Sequence, residues 1–232
     1  MLTLGEKSIT KLFLGDKAIS KAYLGDKLVF QSKNYTEVEY LETTAQQTNS
    51  ANTNDAAWID TGIIPNNNTS MECRMQFTTL ISSSQGTEAL NGATSGGRFA
   101  WGFANVSPRT NFYMGLGAQN LNTTVARDTN VHTFKIDAVN QTWAIDNSTG
   151  TFSSVGSFTG TNSIYLFARH SGSNTYANKP VNAKIWYCKI WDGDTLIRDF
   201  IPVLDKDNVP CMYDKVEDKF YYNAGTGEFL YG

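Results

Sequence analysis

The chain opens on a ten-residue repeat. Its units are residues 4–13 (LGEKSITKLF), 14–23 (LGDKAISKAY) and 24–30 (LGDKLVF). Each starts Leu-Gly-acid-Lys. Gly15-Asp16 and Gly25-Asp26 fit two-residue hairpin turns with glycine first, the requirement of a type II′ turn. The pattern predicts a β-meander with one continuous strand over 17–24. Ile19, Lys21 and Tyr23 would share one face, and Ala18, Ser20, Ala22 and Leu24 the other. A ribbon of about thirty residues buries too little apolar surface to stand alone. It must form the first sheet of the main domain, join copies of itself, or dock on a partner. Residues 1–33 carry a formal charge of +3 and the remainder −6. That opposition favours a separate module with its own role. Its candidate anchoring and oligomerisation residues are Leu14, Gly15, Asp16, Ile19, Tyr23, Leu24, Gly25 and Asp26.

After a polar linker over 31–35, short segments with β character follow one another to the C-terminus. Residues 70–78 alternate: Met71, Cys73, Met75 and Phe77 face one way, Glu72, Arg74 and Gln76 the other. This is the signature of a strand with one buried face. Further strands are expected at 37–41, 57–63, 98–104, 110–116, 131–138, 141–146, 163–169, 183–192 and 196–203. Residues 183–191 are rich in large apolar residues on both faces, so they should form a central strand covered on both sides. Helical periodicity is absent, and Asn and Thr together supply about a fifth of the chain, a composition of strands and turns. The expected class is all-β: an antiparallel β-sandwich or jelly roll over 34–232, preceded by the small β-repeat of 1–33.

Composition also excludes functions. No run approaches the ~18 apolar residues of a membrane span. Gly5, Glu6, Lys7 and Lys11 interrupt any secretory apolar core. A net charge of −3 argues against binding nucleic acid through phosphates. Cys73, Cys188 and Cys211 are too few and too scattered for a disulfide framework or a zinc site.

The order of the segments resembles the concanavalin A-like lectin/glucanase superfamily in its laminin-G-like form. The residues that carry the likeness are Trp58-Ile-Asp-Thr-Gly62, the 132–146 hairpin, Ser163–Arg169, Ala183–Trp191 with Leu196–Val203, and Val209–Lys215 with Phe220–Gly227. The combination is similar to jelly-roll modules carried by bacteriophages and prophages of gut bacteria. The Leu-Gly-Asp-Lys repeat resembles leaders on phage tail, baseplate and fibre proteins. The resemblance implies a bacteriophage virion protein, assembled in the host cytoplasm: a head or tail fibre, baseplate or decoration component. Its partners would be other virion proteins held through residues 1–33, copies of itself as a trimer by analogy with phage fibres, and a surface polysaccharide. Two rival readings are a purely structural capsid or tail decoration and a bacterial surface adhesin.

Chemistry by this chain is not expected. Retaining glucanases need two carboxylates about 5 Å apart, on the pattern Glu-x-Asp-x-x-Glu. That pattern is absent, and the nearest acidic run is Glu37, Glu39 and Glu42. Asp192-Gly-Asp194 reads as a hairpin turn. Among the histidines, His132 reads as packed beside Phe134 and Ile136, and His170 as a solvated loop residue. No cofactor is expected. Calcium, which laminin-G-like domains often hold at a loop edge, has no motif here, and Asp205-Lys-Asp207-Asn208 reads as a turn. Carbohydrate binding needs aromatic rings beside polar side chains. Arg98, Trp101, Asn111 and Tyr113 supply both if segments 98–102 and 111–114 pair. Core packing is the competing role for those rings. The loops 120–130 and 170–179 are alternative ligand edges.

Overall fold

The computed structural model describes the chain except for residues 1–2, 5–6, 9–11, 20, 32, 45–51, 54–55, 81–87, 105–109, 173–176 and 179–180. The chain divides into two compact units. One comprises residues 1–36 with 204–209, the other residues 37–203 with 210–232.

In the first unit the residues before each Leu-Gly-acid-Lys turn pair with those that follow it. Leu12–Leu14 pairs with Lys17–Ile19, Lys21–Leu24 with Lys27–Gln31, and Thr3–Leu4 with Lys7–Ser8. Gly15 and Gly25 sit at φ near +60° while the following aspartates do not, as the type II′ turn demands. Residues 17–19 and 21–24 pair in separate two-stranded ribbons, and residue 20, between them in the expected strand over 17–24, lies outside the described residues. The residues before each turn are left outside any core. Phe13 and Leu14 are 57% and 75% exposed, and Tyr23 and Leu24 are 58% and 75%. Gly15, Asp16, Gly25 and Asp26 are exposed at the turns, and Ile19 is half-buried.

The second unit is an all-β sandwich. One sheet runs from the edge strand Ser148–Thr151 through Thr142–Ile145, Val131–Asp137, Thr69–Phe77, Asn182–Asp192 and Thr195–Asp205 to Pro210–Asp214 and Lys219–Tyr221. Leu41–Thr44 also pairs with Asn182–Asp192, and Leu230–Tyr231 pairs with Leu41–Thr44. The other sheet runs Gln119–Ala126, Asn111–Gly117, Arg98–Ala104, Glu88–Ala93, Arg169–His170, Ala177–Asn178, Asn52–Thr53. The ladders named here are antiparallel except Glu88–Ala93 against Arg169–His170.

Alternation places the core between the sheets. Met71, Cys73, Met75 and Phe77 from one sheet, with Phe134 and Ile136, meet Phe99, Trp101, Phe103, Phe112, Met114 and Leu116 from the other. Trp101 stacks on Phe134 at 5.9 Å between centroids, and Phe77 meets Phe103 edge-on at 5.0 Å. Offset and edge-on contacts of this kind add to simple area burial.

Three expectations need correction. The strand Asn182–Asp192 is central in its sheet, yet it is covered fully on only one face. Ala183, Ile185, Cys188 and Ile190 are buried, while Trp186, Tyr187, Lys189 and Trp191 are half-exposed. A bulge opposite Arg74/Met75 inserts Trp186 into the ladder, which turns both neighbouring rings outward. Residues 120–130, expected as a loop, begin with the strand Gln119–Ala126. Leu121, Thr123 and Val125 turn inward, and Asn120, Asn122 and Thr124 outward. The asparagines disguise an ordinary alternation. The span 37–41 is not one strand, because pairing resumes only at Leu41–Thr44.

Candidate functional site

The four residues expected to hold a sugar do not share a surface. Strand Arg98–Ala104 pairs with Asn111–Gly117 in the register Arg98↔Gly117, Trp101↔Met114, Gly102↔Tyr113. The pleat therefore sends Arg98, Asn111 and Tyr113 to the outer face and Trp101 to the interior. Trp101 is fully buried and its Nε1–H donates to Met75 Sδ at 3.0 Å, so it is a core residue and not a stacking platform. Tyr113 lies across Gly115 beside the Arg98 stem. It is only 7% exposed, and its hydroxyl donates to Asn120 Oδ1. Asn111 Nδ2 donates to the Thr123 carbonyl at 2.6 Å. This face has polar atoms, but its ring presents no open surface.

The segments behind the family resemblance also have internal work. Asp214 is fully buried. Its Oδ1 accepts the amides of Asp199 and Val216 at 2.8 and 3.0 Å, and its Oδ2 lies 3.6 Å from Arg198 Nε. Arg198 Nη1 also reaches Glu217 at 2.7 Å, and Lys215 reaches Asp199 at 2.9 Å. The Arg-Asp pair of 198–199 and the Asp-Lys pair of 214–215 thus lock neighbouring strands together. Asn223 Oδ1 accepts the amides of Trp58 and Gly225, tying the C-terminal loop to Trp58. Of the acidic run, Glu39 accepts Trp186 Nε1 and Glu42 faces Lys184. Asp205 Oδ1 accepts the amides of Asp207 and Val209, which closes a turn. Gly193, at φ +55°, forms the two-residue turn between Asp192 and Thr195.

His132 is half-buried against Phe112 and Phe134. Its Nδ1 lies 2.6 Å from Asp146 and its Nε2 2.8 Å from Asp128. Burial opposes its charge, but the hydrogen bonds to the two carboxylates outweigh burial and raise its pKa. His170 is not the solvated residue expected. It stacks on Tyr165 at 4.0 Å, and its Nδ1 lies 3.1 Å from the Ser163 carbonyl. Burial, with Asp60 nearby, pushes the Tyr165 hydroxyl up to about 12.

A different surface has free polar groups. On the outer side of the edge hairpin lies a groove of about 350 Å³, lined by Lys135, Asp137, Thr142, Trp143, Ala144, Thr149, Gly150 and Thr151. The registers Lys135↔Ala144, Asp137↔Thr142, Ala144↔Thr149 and Thr142↔Thr151 bring Lys135, Asp137, Thr142, Ala144, Thr149 and Thr151 to one face of three neighbouring strands, while the Trp143 ring, opposite Ile136, turns into the core. Gly150 lies opposite Trp143, and a Cβ there would sit 2.6 Å from the indole. Only glycine lets the ring lie flat against the edge strand. Among the described residues, the Lys135 ammonium and the hydroxyls of Thr142, Thr149 and Thr151 make no hydrogen bond or ion pair. Unengaged donors and acceptors lining a groove are the makings of a site for a polar ligand. Sequence reading passed over this groove because its residues belong to an ordinary-looking hairpin. The signal was the alternation of Thr149 and Thr151 in step with Ala144 and Thr142 one strand away. Among the described residues, no group of three or more His, Cys, Asp or Glu is arranged to hold a metal ion.

In comparison with known proteins, no family model and no curated protein matches this chain.

Proposed function

We propose that this chain is a non-enzymatic surface protein of a bacteriophage particle, a fibre, baseplate or head decoration component whose jelly roll binds a surface saccharide. Residues 1–33 attach it to other virion proteins and assemble it as a trimer. The observation that carries the binding reading is the groove, where an ammonium and three hydroxyls that the protein leaves unengaged line one face of the edge hairpin. The attachment reading is supported by the exposed Phe13-Leu14 and Tyr23-Leu24 pairs, repeated ten residues apart on a positively charged segment. Apolar pairs exposed at regular spacing suit a surface that is covered on assembly. The acidic residues near the resemblance motifs are occupied in strand-locking pairs and turns, which suits binding without catalysis.

The test is binding of the purified chain to a panel of bacterial surface polysaccharides, with Lys135→Gln as the groove variant. Saturable binding weakened in the folded variant is expected. A second reading, a structural decoration without saccharide binding, draws on the buried positions of Trp101 and Tyr113. Absence of binding across the panel would favour it.

A further inference from the structure

We infer that the groove selects a neutral pyranose, gripped through two neighbouring hydroxyls by Lys135 and Asp137. The inference rests on the saccharide-binding reading and narrows it to a ligand class. Lys135 and Asp137 stand two apart on one strand, so both side chains project to the groove face. Their opposite charges cancel there. Asp137 is held rigidly: Oδ1 lies 3.2 Å from Ser70 Oγ and accepts the Asn140 amide at 3.0 Å, and Oδ2 accepts Asn140 Nδ2 at 3.0 Å. A carboxylate offers about four acceptor directions, so these three bonds leave one for a ligand. Burial opposes the charge, but the hydrogen bonds from Asn140 and Ser70, with Lys135 nearby, keep the carboxyl below its ordinary range and ionised.

That arrangement discriminates by charge. A sugar acid would bring a second carboxylate against an ionised Asp137, and like charges in a shared site repel. A free cation would meet Lys135. A neutral pair of hydroxyls gives each residue what it lacks: one oxygen accepts from the Lys135 ammonium, and the other hydroxyl donates to Asp137. The Ala144 methyl gives an apolar floor for the C–H face of the ring, and Thr142, Thr149 and Thr151 line the sides. A volume of about 350 Å³ is at the low end for ligand sites, so the groove takes a single ring.

The experiment is equilibrium binding of the full-length chain to dextran, mannan and galactan as neutral polymers and to polygalacturonate as the acidic one, each at low and high salt. Saturable binding to at least one neutral polymer, little changed by salt, is expected. Lys135→Gln should weaken it about tenfold or more, the scale of a charged hydrogen bond. Thr149→Val, a near-isosteric change at an exposed position, should weaken it less while leaving the fold intact. Tighter binding to polygalacturonate, or steep loss with salt, overturns the neutral-sugar inference while leaving saccharide binding standing. Neutral binding indifferent to both variants overturns the groove. Failure to bind any of the four polymers overturns the inference, while binding only to other polysaccharides in the wider panel leaves the general saccharide reading intact.

Discussion

Replacing Trp101 with alanine should damage the fold and not a binding surface. The indole is fully buried, stacks on Phe134 across the two sheets, and donates to Met75 Sδ at 3.0 Å. Emptying such a site costs about 3–5 kcal/mol, the transfer of the ring plus the cavity it leaves. For a chain of 232 residues, each kcal/mol lowers Tm by about 2–4 °C, so a fall of about 6–20 °C is expected. Trp101→Phe keeps a ring against Phe134 and should cost markedly less. The assay is urea denaturation followed by circular dichroism, with the midpoint read at constant slope so that the change reports stability alone. A Trp101→Ala protein within about 1 kcal/mol of the parent, well below the core range, would refute the placement. It would return Trp101 to the outer face beside Arg98 and Tyr113.

Other outcomes follow from single interactions. Asp214→Ala removes the buried acceptor of two amides while Arg198 keeps Glu217, so urea denaturation should show a loss of about 1–3 kcal/mol. His132 has a raised pKa in the fold. Its ion pairs therefore stabilise fully below the unfolded value of about 6.5 and fade as pH rises through the folded value. The cost of His132→Gln should be about 1 kcal/mol larger at pH 6 than at pH 9, modest because both carboxylates are half-exposed. A cost independent of pH would remove the charged bracket. Asp128, lowered in pKa by its bonds to Asn130 and His132 against the opposing effect of burial, contributes in the opposite sense. Its share is present above its unfolded value of about 3.9 and lost as pH falls through the folded one. The thiols of Cys73, Cys188 and Cys211 are buried, and burial, then the facing Cys188, raises the Cys73 thiol. A thiol reagent should label none of the three in the native protein and all three in urea. Rapid labelling of the native protein would contradict this.

Much of the architecture was legible because the pleat writes itself into sequence. Met71, Cys73, Met75 and Phe77 alternate with polar residues, and the strand Thr69–Phe77 buries those side chains while Glu72, Arg74 and Gln76 stay partly or fully exposed. Glycine before aspartate announced the turns at Gly15, Gly25 and Gly193, since only one backbone geometry closes a two-residue hairpin that way. What could not be read was which face of a paired segment meets the other sheet. Arg98, Trp101, Asn111 and Tyr113 lie on paired strands, as expected, but one residue of offset separates an outer side chain from a core one. The Asn-rich strand Gln119–Ala126 was hidden because composition outweighed its alternation. The pairing of the described leader strands as separate ribbons depends on which segments meet, a choice that a repeat of identical turns leaves open. The groove depends on cross-strand neighbours, Lys135 beside Ala144 and Ala144 beside Thr149, and such relations exist only once the register is fixed.

The saccharide site is tested most directly by an amide NMR titration of the full-length chain with an oligosaccharide of a polymer it binds. Shifts concentrated in residues 133–137 and 142–151 are predicted, with the amides beside Arg98 and Tyr113 unmoved. Shifts at that second face with the edge hairpin silent, or no shifts at saturating sugar, would contradict the account.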